Sequence, residues 1–189
     1  MRKDLIREIE IPSGVEVAFD GNEVTVKGNG KEIKKSFNFG KVKGEVSTRD
    51  DPKGPKDGII ILSAKGASRR ESKMIGTINA RLNNMIKGVG EDFVYSLEIC
   101  NVHFPMTVKV EGDTMVIKSF LGEKKDRFAK ILPGANVDIK GTQITVSSHD
   151  IDLAGQTSAN IEKATRLKGR DRRIFQDGIF ITEKPGRVI

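Results

Sequence analysis

A dense basic cluster near the end of the chain is the feature whose residue types suggest chemistry. Its cations are Arg166, Lys168, Arg170, Arg172 and Arg173. From Lys163 to Ile189 the chain carries eight basic and three acidic residues. Like charges crowded at one turn repel each other, and bound phosphate groups relieve that repulsion. The cluster therefore predicts an anionic partner, of which a nucleic-acid backbone is the commonest.

Two smaller basic clusters occur earlier in the chain. The first comprises Arg69, Arg70 and Lys73. It falls in the first turn of a predicted helix, where the helix dipole disfavours cations. That face is either solvated or binds a phosphate. A phosphate would pair with the cations and accept hydrogen bonds from the free backbone N–H groups of the helix start. The second comprises Lys124, Lys125, Arg127 and Lys130, in a predicted loop for which solvation is again the alternative.

The sequence shows no pattern typical of an enzyme. No Ser or Cys lies in a recognisable nucleophile motif, and His103 and His149 have the positions of structural turn or capping residues. The glycine pairs at 28–30 and 88–90 lack the remainder of a phosphate-binding motif and predict turns. One cysteine and two histidines disfavour a four-ligand zinc site. We therefore predict a non-enzymatic protein with no cofactor and no metal.

The composition favours an acidic partner and small cores. The chain has 189 residues, a net charge of +7, 37% hydrophobic residues and no tryptophan. No segment approaches the roughly 20 apolar residues of a membrane span, and the charged segment Met1–Glu8 does not resemble a signal peptide. The single Cys100 is consistent with a reducing compartment. We expect a cytoplasmic protein that neither enters a membrane nor forms a homo-oligomer.

One pattern occurs twice in the chain. Residues 11–26 contain an aliphatic-Pro turn, an alternating strand, a glycine turn and a second strand ending in Thr25-Val26. Residues 132–146 repeat this order and end in Thr145-Val146. Proline and glycine punctuate the ends of β-hairpins in this way. The repeat predicts two hairpins and an internal duplication.

A helix is predicted after each hairpin. The first begins near Ser68, because Ser68 and Glu71 have the spacing of a capping box, and Gly88 is expected at its C′ position. Its apolar face comprises Ile75, Ile78, Leu82, Met85 and Ile86. The second helix is expected at about Asp150–Lys168, with Gly169 at its end. Its inner side comprises Ala154, Thr157, Ser158, Ile161, Ala164 and Thr165.

These elements predict an α+β fold of two similar duplicated domains, each a small, mainly antiparallel sheet with one helix packed on it. The domains are residues 1–90 and residues 91–189, and the second contains the dense basic cluster. Further strands are predicted at Ile59–Leu62, Phe93–Ile99, Met106–Val110, Thr114–Ile117 and Ile179–Ile181. The segment Lys41–Lys56 is rich in glycine, proline and mixed charge, and is expected to be an exposed, mobile loop.

The type of nucleic acid follows from what the basic clusters lack. No helix-turn-helix, zinc-finger or basic-zipper pattern is present, which disfavours sequence-specific binding of duplex DNA. Aromatic residues are too few for a typical single-strand binder. Structured RNA, recognised through its backbone and shape, fits best. The alternative is a protein–protein adaptor whose basic face docks an acidic partner.

Several strings resemble the archaeal and eukaryotic branch of the universal large-subunit ribosomal protein family known as L-six. They are Asn84-Met85-Ile86-Lys87-Gly88-Val89, His103-Phe104-Pro105, Phe120-Leu121-Gly122-Glu123-Lys124, Gly155-Gln156-Thr157, Arg170-Asp171, Asp177-Gly178-Ile179 and Glu183-Lys184. They occur in the order typical of that branch and span the whole chain, so the resemblance is specific.

The resemblance implies two similar α+β domains and a structural role without catalysis. It also implies binding to large-subunit ribosomal RNA near the elongation-factor site, beside ribosomal proteins of the stalk base, mainly through the second domain. By motif, the implied RNA-binding residues are Lys168, Gly169, Arg170, Arg172, Arg173 and Lys184. We also expect RNA contacts from other basic residues of the chain, namely Arg166, Arg187, Lys124, Lys125, Arg127, Arg69, Arg70 and Lys73.

Overall fold

The structure is a computed structural model that describes residues 3–48 and 58–189. Its described residues form small antiparallel sheets and two α-helices, which confirms the predicted α+β class. The chain divides into two compact units, Met1–Glu91 and Asp92–Ile189. Neither of the two described ranges contains a helix long and apolar enough to cross a membrane.

The first unit contains both halves of the first predicted hairpin. Its elements are β1 (Lys3–Glu10), β2 (Val15–Asp20), β3 (Glu23–Gly28), β4 (Lys31–Ser36), β5 (Lys43–Thr48), β6 (Gly58–Ala67) and α1 (Arg69–Gly90). They form two antiparallel sheets with the orders β1-β6-β5 and β2-β3-β4. The predicted hairpin is β2–β3, with Val17 opposite Val26.

Helix α1 closes the core of the first unit. Its predicted apolar face is confirmed, since all five of its residues are buried: Ile75, Ile78, Leu82, Met85 and Ile86. The predicted capping box is also present, with the Ser68 hydroxyl donating to the Glu71 carboxylate and Ser68 N donating to it at 2.8 Å. These hydrogen bonds from Ser68 lower the pKa of Glu71 to about 2. The helix therefore begins where its sequence predicts.

The predicted end of α1 is wrong. Gly88 lies inside the helix and is buried, and the helix continues to Gly90 with Glu91 as its C-cap. The extra turn forms because Val89 is fully buried in the core. A β-carbon on Gly28 would lie 2.6 Å from Val89 Cγ1, so the close approach of the helix end to β3 requires glycine there.

The second unit contains the second hairpin and the region of the basic cluster. Its elements are β7 (Phe93–Cys100), β8 (Thr107–Glu111), β9 (Thr114–Lys118), β10 (Arg127–Lys130), β11 (Asn136–Lys140), β12 (Gln143–Ser148), α2 (Ile151–Ala164), β13 (Gly178–Lys184) and β14 (Arg187–Val188). A short 3₁₀ turn, Phe120–Gly122, precedes β10. The antiparallel sheets have the orders β10-β9-β8 and β11-β12-β7-β13-β14. The predicted second hairpin is β11–β12.

Helix α2 is shorter than its sequence predicts. Asp150 caps its start, with Asp150 Oδ1 accepting from Asp152 N at 3.0 Å, but the helix ends at Ala164 rather than near Lys168. Thr165 ends it because the Thr165 hydroxyl accepts from Ile179 N at 3.0 Å, a bond to the next strand that a continuing helix would break. The predicted basic cluster therefore lies in a loop and not on the helix.

Several strands have no counterpart in the predictions, namely β1, β4, β5, β10 and β14. The expected loop at Lys41–Lys56 is partly wrong, because Lys43–Thr48 is strand β5 and pairs with β6. Residues 49–56 of that segment lie outside the described residues, while Lys41 and Val42 are described and lie outside any strand. The predicted loop containing Arg127 and Lys130 is likewise strand β10, paired with β9.

Candidate nucleic-acid interface

The basic loop, residues 166–173, joins α2 to the segment before β13 and is held in place by hydrogen bonds with side chains inside and outside the loop. Its start is fixed by Thr165, which is hydrogen-bonded to Ile179 of β13. Farther along, Asp171 Oδ1 accepts from Arg173 N at 2.9 Å. The φ angle of Gly169 is +71°, a left-handed conformation that glycine adopts without strain. The one acid of the cluster therefore shapes the turn that displays the cations.

Asp177 anchors the chain beyond the basic loop. Its side chain is fully buried and accepts hydrogen bonds from Val102 N at 2.7 Å, from His103 N at 2.8 Å and from His103 Nδ1 at 2.6 Å. Burial alone would raise the pKa of Asp177, but the hydrogen bonds from His103 and Val102 outweigh it and lower the pKa to about 2. The carboxylate is therefore ionised at neutral pH and holds this segment against the loop after β7.

Arg127 clamps the other side of the basic loop. Its Nη1 donates to the backbone oxygens of Ala164 at 2.9 Å and Arg166 at 3.1 Å. Its Nε and Nη2 donate to the two carboxylate oxygens of Glu123 at 2.8 and 2.7 Å, and these bonds lower the pKa of Glu123. Its guanidinium carbon also lies 4.3 Å from the ring centroid of Phe120. Four of its five N–H donors therefore have partners within the unit.

The cations of the basic loop face solvent. The structure exposes all five: Arg166, Lys168, Arg170, Arg172 and Arg173. Within residues 3–48 and 58–189, no carboxylate lies at ion-pair distance from Lys168, Arg172 or Arg173. The guanidinium of Arg170 lies 4.9 Å from the ring centroid of Phe175, which restrains its position. Positive charge is thus concentrated on an ordered loop and is not neutralised by neighbouring acids in the described chain.

The other basic candidates of the second unit lie in two further turns. Lys184 and Arg187 are opposite each other at the end of the β13–β14 hairpin, and both are exposed. Lys124 and Lys125 are exposed in the turn between the 3₁₀ turn and β10. Glu123, at the start of this turn, is bound to Arg127. These lysines therefore belong to the segment that Arg127 ties to the basic loop.

The cluster of the first unit is exposed at the start of α1. Arg69, Arg70 and Lys73 all face solvent. Arg70 N donates to the Ser68 hydroxyl at 3.2 Å, and the Glu71 carboxylate lies at the same end of the helix. The Glu71 carboxylate thus already places an anion at the start of α1. A phosphate here would contact the cationic side chains, with fewer backbone N–H groups left for it.

Sequence reasoning missed the residues that order the basic loop. Arg127 appears in the sequence as one more cation, and nothing in its neighbourhood indicates that it bonds to residues 164 and 166. Asp177 and His103 are 74 positions apart, and no local pattern pairs them. Phe175 offers a weak signal, because an aromatic ring two positions after Arg173 can contact a guanidinium group.

Comparison with known proteins identifies relatives along nearly the whole chain. A family model described as ribosomal protein L6 matches residues 104–178. The large ribosomal subunit protein uL6 of Methanococcus vannielii is 42% identical over 186 residues, which cover 98% of this chain and 97% of the relative. The uL6 protein of Methanobrevibacter smithii is 43% identical, over 94% of this chain and 94% of the relative. The uL6 protein of Methanosarcina mazei is 42% identical, over 97% of this chain and 99% of the relative.

Proposed function

Because the chain belongs to the ribosomal protein L6 family, we propose that it is a structural protein of the large ribosomal subunit that binds ribosomal RNA chiefly through its basic loop. Full-length relatives of the family are large-subunit proteins, so the chain is not an enzyme and its location is the cytoplasmic ribosome. The proposed position is near the elongation-factor site, beside ribosomal proteins of the stalk base. That position is supported by the family resemblance of the sequence.

The observation that carries the proposal is an ordered loop with five exposed cations. Cations on an ordered loop require less loss of backbone freedom on binding than cations on a flexible tail, so more of their attraction to phosphate is retained. The corresponding point after α1 is different, since residues 87–92 contain one base and two acids. The two units have similar elements, and the stronger phosphate-binding surface lies on the second.

The other sequence candidates are proposed contacts as well. In the basic loop, Lys168, Arg170, Arg172 and Arg173 contact phosphates, while Gly169 gives the loop its turn. Further proposed contacts are Arg166, Lys184, Arg187, Lys124, Lys125, Arg69, Arg70 and Lys73. Arg127 enters the proposal as a positioning residue, because its donors are already used within the unit.

A salt titration of binding to deproteinised large-subunit ribosomal RNA tests the proposal. The logarithm of the affinity should fall linearly with the logarithm of the salt concentration, because bound cations displace counterions from the RNA. Arg172→Gln should reduce the slope by about one, while affecting different RNA sequences alike. The matched control is Lys140→Gln, because Lys140 is exposed in the same unit but ion-paired with Asp138 at 3.2 Å.

Two outcomes would overturn the proposal. One is an affinity for the RNA that does not depend on ionic strength. The other is a triple alanine variant at Arg170, Arg172 and Arg173 that joins the large subunit as well as the unchanged protein does. The second outcome would favour an adaptor that docks an acidic protein.

A further inference from the structure

A cavity of about 620 Å³ opens beside the basic loop in the second unit. The end of α2, the basic loop, the end of β7 and the start of β13 surround it. Its volume lies within the range of about 300–1,000 Å³ that is common for small-ligand sites. The space is therefore large enough for a compact planar group.

The cavity has walls that suit such a group. Leu167, Phe175 and Phe180 line it and are half-buried, so part of their apolar surface is open to the cavity. The Phe175 ring already contacts the Arg170 guanidinium at 4.9 Å and the His103 ring at 5.1 Å between centroids. The Phe180 ring and Leu167 can contact the flat face of a ring that enters from solvent.

Three cations line the same cavity. They are Lys163, Arg166 and Arg172, all exposed, and none has an ion-pair partner among the described residues. Arg166 is held in place through its backbone oxygen, which accepts from Arg127. Two acids, Glu162 and Asp177, also line the cavity, and Asp177 is already bound to His103. The apolar walls and the three cations without ion-pair partners among the described residues match a ligand with a flat ring and an attached anion.

We propose that the cavity receives one unstacked RNA base, while Arg166 and Arg172 bind the phosphate next to it. The inference rests on the proposed RNA binding and adds a base-sized site to it. An unpaired nucleotide in an RNA loop or bulge has a flat ring and an anion. Its base can stack on aromatic side chains, and its phosphate carries the negative charge. The protein thereby holds one particular nucleotide in addition to contacting phosphates.

The affinity test uses the single cysteine of the chain, Cys100, which lines the cavity and is partly exposed. Cys100→Phe places a ring in the space without changing charge, and Cys100→Ser is the matched control that leaves the space open. Binding of the full chain to deproteinised large-subunit RNA should weaken about 5- to 150-fold for the first variant, which is the usual contribution of one base stacked on aromatic side chains. The salt slope should be the same for both variants.

A second measurement uses the unchanged protein and does not depend on how Cys100→Phe folds. The rate at which N-ethylmaleimide alkylates Cys100 should fall at least tenfold when the RNA is saturating. Ultraviolet crosslinking of the same complex should attach a nucleotide to the peptide that contains Phe175 and Phe180.

The outcomes separate this inference from the proposed function. If the RNA binds with the expected salt dependence but alkylation is not slowed, the base site is wrong and RNA binding stands. The same conclusion follows if Cys100→Phe is folded and binds as well as Cys100→Ser. If binding shows no salt dependence, RNA binding itself fails, and the base site fails with it.

Discussion

Arg127 is predicted to stabilise the second unit, although its position among lysines suggests an RNA contact. Arg127→Met keeps much of the side-chain length and removes the guanidinium group. Two bonds to partly exposed Glu123, two to backbone oxygens and the contact with Phe120 are lost together. From typical contributions of such contacts, the free energy of unfolding should fall by about 2–5 kcal/mol.

Urea unfolding of the full chain, followed by hydrogen exchange, measures this effect. The transition of the second unit should move to lower urea by about 1–2 M, and the amides of residues 165–167 should exchange faster. Arg127→Lys should lie between Arg127→Met and the unchanged protein, because lysine keeps the charge but not the planar fork of donors. The salt slope of RNA binding, measured without urea, should be unchanged in Arg127→Met, because Arg127 is not expected to contact a phosphate.

Lys118→Met is the matched control for this prediction. Lys118 lies on the neighbouring strand β9, and its ion pair with Asp126 is long, at 3.8 Å, with both side chains well exposed. Its removal should cost less than about 1 kcal/mol. The assigned role of Arg127 would be refuted if the two methionine variants unfolded at the same urea concentration, or if Arg127→Met reduced the salt slope by one.

Three other substitutions test the structure. Asp177→Asn should destabilise the second unit most above pH 4. The pKa of the carboxylate is lowered from 3.8 to about 2, so the ionised form contributes about 2 kcal/mol to the free energy of unfolding. This contribution is lost as the pH falls through that range. Urea unfolding at pH 7 and pH 2.5 should show the difference from the unchanged protein shrinking, and a constant difference would contradict the role. Gly28→Ala should lower the stability of the first unit by about 1–3 kcal/mol through collision with Val89. A β-carbon at Gly76, inside α1, would meet no atom within 4 Å, so Gly76→Ala should raise the stability of the first unit by about 1 kcal/mol. Equal effects of the two alanine substitutions would refute the packing argument.

Local sequence patterns predict the elements whose own residues carry the signal. The start of α1 follows from Ser68 and Glu71, because both partners of a capping box lie within one turn. The two hairpins follow from glycine turns between alternating strands. Strands such as β4 and β5 are different: Ile33 is the one buried residue of β4, and their other side chains are largely polar. These strands form through pairing with β3 and β6, which local periodicity does not encode.

The candidate site also has a part that the sequence predicts and a part that only the folded chain shows. The sequence by itself determined that a charge cluster lies at residues 166–173 and that its residue types bind anions, because charge is a property of the residues themselves. Only the tertiary structure decided which cations are available. It assigned Arg127 to a clamp, left Lys168, Arg172 and Arg173 without an ion-pair partner among the described residues, and placed Cys100 beside the basic loop. Such roles depend on contacts between positions that are tens of residues apart, and those contacts exist only after both sheets and α2 have packed together.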